Sequence, residues 1–484
     1  MIFSSVLFLF WFLPVALAAY YLCPPRWRNI PALGFSLLFF AWGAPLFVFV
    51  LVASCAVDYW IGPRLAAGSG NDRRRKLLLA AVLTFNLGLL CYFKYANFFV
   101  GQFNAVIKAL GGAAIPWAEV ALPIGISFFT FHKISYLVDV YRGVVKPARK
   151  YTDYLLYIAL FPQLIAGPII RYHDVAEQIQ SRFYSSRLFL DGVWRFCLGL
   201  GKKVLLANSF GTVADAFFAK QPGELGVAGA WVGTLAYAFQ IYFDFSGYSD
   251  MAIGLGRMMG IRFLENFEFP YISRSVTEFW RRWHISLGNF MREYLYLPLG
   301  GNRVAPWRVY FNLWVVFAIS GLWHGAAWTF VAWGAYQGFL LTFERFIWRR
   351  NGIRKEPPRI MIVVTFMLIC IGWVFFRSES IGYAFQFLGA MFGAGGMSPG
   401  VSAMLMEQAQ DVRIWVAVAV GILVAFAPLF KIEDVMRDWS VPAGGPGRTV
   451  AFVMARFAAC VAIGLASASV LVNGGFNPFI YFRF

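Results

Sequence analysis

The chain has 484 residues, 60% of them hydrophobic and 14% charged, with 42 Lys+Arg against 24 Asp+Glu for a net charge of +18. Soluble domains carry about 45–50% apolar and about 25% charged residues, and a water-soluble interior is too small to hide the surplus, 52 Phe included. Disorder, a collagen-like fibre, a disulfide scaffold and a string of soluble domains are excluded. What remains is an all-α polytopic membrane protein of roughly 10–12 spanning helices of about 20 residues each, with re-entrant or interfacial helices around a central cavity.

In such a chain the positive charge belongs on cytoplasmic loops and anionic lipid head groups rather than on nucleic acid. The six cysteines stand singly, with no Cys-x-x-Cys pair. They imply neither a metal site nor a disulfide framework.

Met1–Leu22 reads as a retained helix: Ala16-Leu17-Ala18 resembles a cleavage site, but no Lys or Arg precedes the apolar stretch. Ile30 to Gly68 reads as a helical hairpin turning at Trp42-Gly43-Ala44-Pro45. The densest positive run, Asn71-Asp72-Arg73-Arg74-Arg75-Lys76, precedes a span at Leu77–Ala96. A second basic loop runs from Arg349 to Lys355. Beyond it, Ile360–Phe376 crosses outward, Ile414–Phe430 returns to Lys431, and Val450–Leu471 exits. With both basic loops inside, both termini fall on the periplasmic or extracellular side of a bacterial inner membrane. The chain divides into N-terminal helices (1–121), a central core (122–345) and C-terminal helices (346–484).

The central region breaks simple span arithmetic at Pro162, Gly167-Pro168 and Gly201-Lys202-Lys203. Irregular backbone and ionisable groups at membrane depth are tolerated only when buried in protein or lining a wet cavity. No internal repeat supports an inverted-repeat transporter. The chemistry is therefore expected here.

Only four histidines occur: His132, His173, His284 and His324. His324 lies in Ser320-Gly321-Leu322-Trp323-His324-Gly325, deep in an apolar run, where an ionisable group is a functional candidate. The plain alternative is a neutral imidazole bonded to a neighbouring helix. Gly321 and Gly325 leave room beside the ring for a substrate or for a close backbone. His284 follows Glu278-Phe279-Trp280-Arg281-Arg282-Trp283. That block reads either as an interfacial amphipathic helix, with Trp at head-group level and Arg on phosphates, or as a re-entrant segment lining a cavity. His132 and His173 sit at segment ends and read as structural.

Asp244-Phe245-Ser246-Gly247-Tyr248-Ser249-Asp250 interrupts another apolar stretch. Buried carboxylates need partners, and Arg257, Arg262, Arg281 and Arg282 are near in sequence. A polar network locking helices together competes with a direct role in binding. No P-loop, Gly-x-Gly-x-x-Gly, His-Glu-x-x-His or Gly-x-Ser-x-Gly motif is present, which argues against nucleotide hydrolysis, zinc hydrolysis and serine-hydrolase chemistry.

The Asp244–Asp250 block, Thr277–His284 and Gly321-Leu322-Trp323-His324-Gly325, in this order and spacing, resemble the membrane-bound O-acyltransferases. The resemblance extends to the bacterial branch that serves alginate O-acetylation, which Leu122–Phe128, Ala166-Gly167-Pro168 and the Asn477-Pro478-Phe479 tail also fit. One departure stands out, His132-Lys133, where an acidic or neutral pair is expected.

The resemblance implies transfer of an acyl group, acetyl first among candidates, from a cytoplasmic thioester across the membrane to a hydroxyl. Acetyl-CoA or an acyl-carrier thioester is the donor substrate, and no bound cofactor or metal is implied. His324 and His284 are carried over as the catalytic pair. Arg281, Arg282, Trp323, Asp244, Tyr248 and Asp250 are candidates for substrate binding, and Lys202 and Lys203 for contacts to coenzyme A phosphates.

A neutral imidazole is the natural base near neutral pH, so His324 is expected to deprotonate the acceptor hydroxyl, or to form an acyl-imidazole. His284 would orient the acyl carbonyl. Implied partners are an exported SGNH-type acetyltransferase, the polysaccharide synthesis machinery and membrane lipids, with no nucleic acid. Competing readings are D-alanyl or other acyl transfer to a cell-wall polymer, a channel or transporter for a polar solute, and a structural subunit of a secretion complex.

Overall fold

The computed structural model describes residues 1–66, 72–351, 357–431, 446–474 and 480. The stretches 67–71 and 352–356, which belong to the two basic loops, lie outside the described residues, as do the side chains of 348–351 and the tail motif at 477–479. Among the described residues the secondary structure is helical, apart from two isolated antiparallel bridges at Leu225–Met397 and Phe267–Trp283. The chain is an all-α, multi-pass membrane protein. Two compact units form, one from residues 1–186 and 256–264, the other from 187–255 and 265–484. The three regions marked along the sequence follow composition, whereas these units follow packing.

The first unit begins with a helix over Phe8–Phe12 and Leu13–Leu22, then Asn29–Gly43 and Phe47–Leu65. The last two form the expected hairpin, broken at 44–46. Asp72–Ala109 is a single helix of 38 residues, about 57 Å long and nearly twice the thickness of a bilayer core. The span expected at Leu77–Ala96 is only its middle.

His132 and Lys133 do not end a segment. They lie inside helix Ile126–Arg142 and are fully buried. Lys133 pairs with Asp58 at 3.2 Å, and Asp58 also accepts hydrogen bonds from Asn86 and Tyr154. A buried charge without a partner would cost several kcal/mol. The acid on Phe47–Leu65 explains how a lysine is tolerated there.

In the second unit, Ser186–Gly201, a π-helical turn at Lys202–Ala207, and Asn208–Phe218 run on without a break in the helical backbone. Gly226–Met258 crosses the first of these helices at close range. A methyl group placed on Gly199 would lie 2.5 Å from the Gly247 carbonyl oxygen, and one on Gly254 would lie 2.6 Å from that of Gly192. The spacing Gly192–Gly199 matches Gly247–Gly254, so two glycine stripes let the backbones touch.

Helices Val276–Arg282, Ile285–Met291, Pro306–His324, Trp328–Asn351, Met361–Arg377, Ile381–Met391, Pro399–Gln410, Val412–Ala425 and Pro446–Val472 complete the unit. Among the described residues, three helices are by themselves long and apolar enough to cross a membrane: Phe47–Leu65, Asp72–Ala109 and Val450–Val472. Pro399–Gln410 and Val412–Ala425, bent by 72° at Asp411, add a fourth if they count as one span. Gly226–Met258 and Trp328–Asn351 have the length, but their Gln, Asp, Ser and Glu residues dilute the apolar signal because those side chains face protein.

Candidate active site

His324 is the last residue of Pro306–His324, with Gly325 extended beyond it. Gly321 and Gly325 make room for protein. A side chain at Gly321 would collide with the Phe330 carbonyl oxygen, and one at Gly325 with the Phe330 ring. Of the two possibilities left open by the sequence, the close backbone is realised. Helix Trp328–Asn351 is thereby pulled against the end of Pro306–His324.

The His324 imidazole is 7% exposed and stands edge-on to three aromatic rings. Centroid distances are 4.9 Å to Trp323, 5.1 Å to Trp333 and 5.1 Å to Phe376. It lines a cavity of about 10 Å³ together with Phe245, Trp283, Trp333, Trp373 and Ile480, a volume of about one water molecule.

His284 is brought to the same place. Its ring packs edge-on against Phe245 at 4.6 Å and lies 6.0 Å from Trp323, the ring that also meets His324. Trp323 therefore touches both imidazoles. The block around His284 is not one continuous helix. Val276–Arg282 is a seven-residue helix capped by Ser275, whose hydroxyl accepts from the Glu278 N–H at 3.0 Å. The Glu344 carboxylate takes the N–H groups of Val276 and Thr277. His284 itself lies in the break before Ile285–Met291, 2% exposed, with φ at 46°.

Left-handed backbone at a residue other than glycine costs about 1–3 kcal/mol and persists only where surroundings enforce it. Here the segment 266–268 pairs with 282–285. Glu268 N–H donates to the Arg282 carbonyl, and Ile285 N–H to the Asn266 carbonyl, each at 2.9 Å.

The candidate binding residues divide by environment. Asp250, buried, pairs with Arg195 and Lys202, each at 2.7 Å, and Arg195 extends the network to Glu265. Asp244 pairs with Lys203 at 2.8 Å and accepts the Ile480 N–H at 2.8 Å. The π turn at Lys202–Ala207 aims both lysines inward, and such turns are frequent at functional sites. The partners near in sequence, Arg257, Arg262, Arg281 and Arg282, are not the ones used.

Lys202 and Lys203 pair with these acids inside the protein. Arg282 pairs with Glu278 at 2.9 Å and bonds the Glu268 carbonyl, whereas Arg281 is exposed. Trp323 and Tyr248 are buried. Asn266 and Arg195 join the site without being among the residues expected from sequence. An arginine inside the apolar run Val193–Leu198 was the legible sign for Arg195, and Asn266 had none.

Comparison with known proteins adds an independent line. Residues 148–385 match the family described as MBOAT, membrane-bound O-acyltransferase family. The chain is 41% identical to the probable alginate O-acetylase AlgI of Azotobacter vinelandii over 100% of both chains. It is 46% identical to the protein of the same name from Pseudomonas aeruginosa, over 82% of this chain and 75% of that one. It is also 36% identical to the peptidoglycan O-acetyltransferase of Helicobacter pylori, over 82% of this chain and 81% of the relative.

Proposed function

The chain belongs to the membrane-bound O-acyltransferase family and is a membrane O-acyltransferase, and from that premise we propose that it moves acetyl groups outward for the O-acetylation of an alginate-like exopolysaccharide. The donor is a cytoplasmic thioester, acetyl-CoA or an acyl-carrier protein. The receiving protein is an exported SGNH-type acetyltransferase working beside the polysaccharide synthesis machinery. The protein resides in the bacterial inner membrane with both termini periplasmic.

The observation that carries this reading is the 41% identity over the full length to a protein named for alginate O-acetylation. A histidine buried in an aromatic cavity supplies a matching chemical group. In the reaction, the His324 imidazole takes the proton of the acceptor hydroxyl as its oxygen attacks the thioester carbonyl. The C–S bond then breaks, and the departing thiolate receives the proton back from the imidazolium. The surrounding rings exclude water, which would otherwise hydrolyse the thioester. The buried acids Asp244 and Asp250 hold the helices that form the wall, and exposed Arg281 is the contact for donor phosphates.

Membrane vesicles containing the chain and its exported partner test the donor. Labelled acetyl-CoA is expected to transfer label to the partner or polymer. Label arriving only from a D-alanyl-charged carrier protein would overturn the acetyl reading, and solute flux without covalent transfer would overturn acyl transfer altogether.

A further inference from the structure

Asn266 is fully buried in the link between Gly226–Met258 and Val276–Arg282, and its side chain is a hub of four polar contacts. Its Oδ1 accepts from the Ser286 N–H at 3.3 Å and from the Ser286 hydroxyl at 2.8 Å, and lies 3.1 Å from His284 Nδ1. Its Nδ2 donates to the Ser249 hydroxyl at 3.0 Å. The Ser286 backbone N–H can only donate, which fixes the amide orientation: oxygen toward residues 284–286, nitrogen toward Ser249.

An amide oxygen cannot donate, so a hydrogen bond to His284 Nδ1 requires the proton on Nδ1. The Ser286 hydroxyl lies 3.4 Å from the same nitrogen, but its one hydrogen is engaged by Asn266. In the neutral ring Nε2 then carries a lone pair and no hydrogen. That atom is buried and has no hydrogen-bond partner among the described residues.

We propose that Asn266 is a positioning residue that holds His284 in the Nδ1–H tautomer, so that His284 offers the substrate a hydrogen-bond acceptor at Nε2. The inference rests on the acyl-transfer reading for its purpose, not for its geometry. It reverses the expectation that His284 orients the acyl carbonyl, since a carbonyl oxygen needs a donor. The group held at Nε2 carries an O–H or N–H, as the acceptor hydroxyl does, and stabilising the oxyanion falls to other groups.

The backbone supports the same conclusion. The left-handed turn at His284 is clamped by Asn266 from both its carbonyl and its side chain, so ring direction and tautomer are set by one residue. No charged side chain among the described residues bonds the ring. Its contacts are Phe245, Trp323, Asn266 and Ser286, and the acids adjacent in sequence to Ser249 and Asn266, Asp250 and Glu265, are paired with Arg195.

The test uses the whole protein in lipid nanodiscs with ¹⁵N-labelled histidine. With four histidines in the chain, the His284 resonances are identified by their loss in His284→Gln. The wild-type spectrum is expected to show protonated Nδ1 and bare Nε2. This readout does not depend on activity, so it separates failure of the tautomer from failure of the acyl-transfer reading.

Asn266→Asp keeps the acceptor and should keep the tautomer. Its carboxylate stabilises the imidazolium, so the acid limb of the activity profile moves up by about one pH unit or more. Asn266→Ala should populate both tautomers and lower kcat at least about tenfold with little change in KM. A proton on Nε2 in the wild type would overturn the proposal. So would a folded Asn266→Ala protein with the wild-type tautomer and kcat.

Discussion

The Asp250 carboxylate lies 2.7 Å from the Lys202 ammonium, across the point where Gly226–Met258 passes the π turn that follows Ser186–Gly201. Its other oxygen takes Arg195. Removing this buried ion takes the acid from Lys202 and leaves Arg195 with Glu265 alone, a loss of about 3–5 kcal/mol for breaking such a pair. Asp250→Ala is expected to lower the thermal midpoint sharply in detergent or nanodiscs. Lys202→Met, which leaves Asp250 with Arg195, should cost less. Equal and small effects of the two would show that the network does not hold these helices.

The same crossing depends on bare backbone. A methyl at Gly247 would sit 2.7 Å from the Gly199 carbonyl oxygen and 3.0 Å from the Lys203 nitrogen, whereas one at Gly464 meets nothing within 4 Å. Gly247→Ala is expected to destabilise by about 1–3 kcal/mol. Gly464→Ala, in a helix, should be neutral or stabilising by up to about 1 kcal/mol. Unfolding curves of the two variants, measured side by side, check the contrast.

Trp323 stands against both His284 and His324. Trp323→Phe retains a ring there and should keep most activity. Trp323→Ala removes the ring that both imidazoles pack against, and small displacements of catalytic groups cost large factors in rate. A drop in kcat of about tenfold or more, in protein that elutes as the wild type does, is the expected result.

His173 gives a pH signature away from the site. It lies on the short polar helix Tyr172–Gln180, with Nδ1 2.7 Å from Asp139 and Nε2 3.4 Å from Asp174. The hydrogen bond to Asp139 is the chief cause that raises its pKa above the ordinary 6.5, against a smaller opposing effect of burial. Because the folded value is the higher one, His173 contributes its full stabilisation below about pH 6.5 and loses it as pH rises through the folded value. The gap in thermal midpoint between wild type and His173→Asn should therefore be wider at pH 5.5 than at pH 8.5. An equal gap at both would contradict the assignment.

Much of this was legible in the residues, for identifiable reasons. The helical hairpin broken after Gly43 and the helices at Met361–Arg377 and Pro446–Val472 follow from apolar run length and Gly/Pro breaks. His284 and His324 are scarce ionisable groups in apolar surroundings, and the fold brings them to one tryptophan. What sequence does not carry is pairing across distance. Asp250 chooses Arg195 and Lys202, 55 and 48 residues away, over arginines nearer in the chain, because glycine stripes set the helix crossing. Asn266 gives no sign in composition or spacing, since its role is created by a backbone turn at His284. The glycines beside His324 serve packing, a choice that only the position of Phe330 decides.

The central claim is that the His324 imidazole carries out acyl transfer. The direct measurement is acetyl content of the exported polymer in cells carrying His324→Ala, with the variant shown to be folded and present in the membrane at wild-type level. Acetylation reduced to background is the predicted result, and acetylation at the wild-type level would contradict the account.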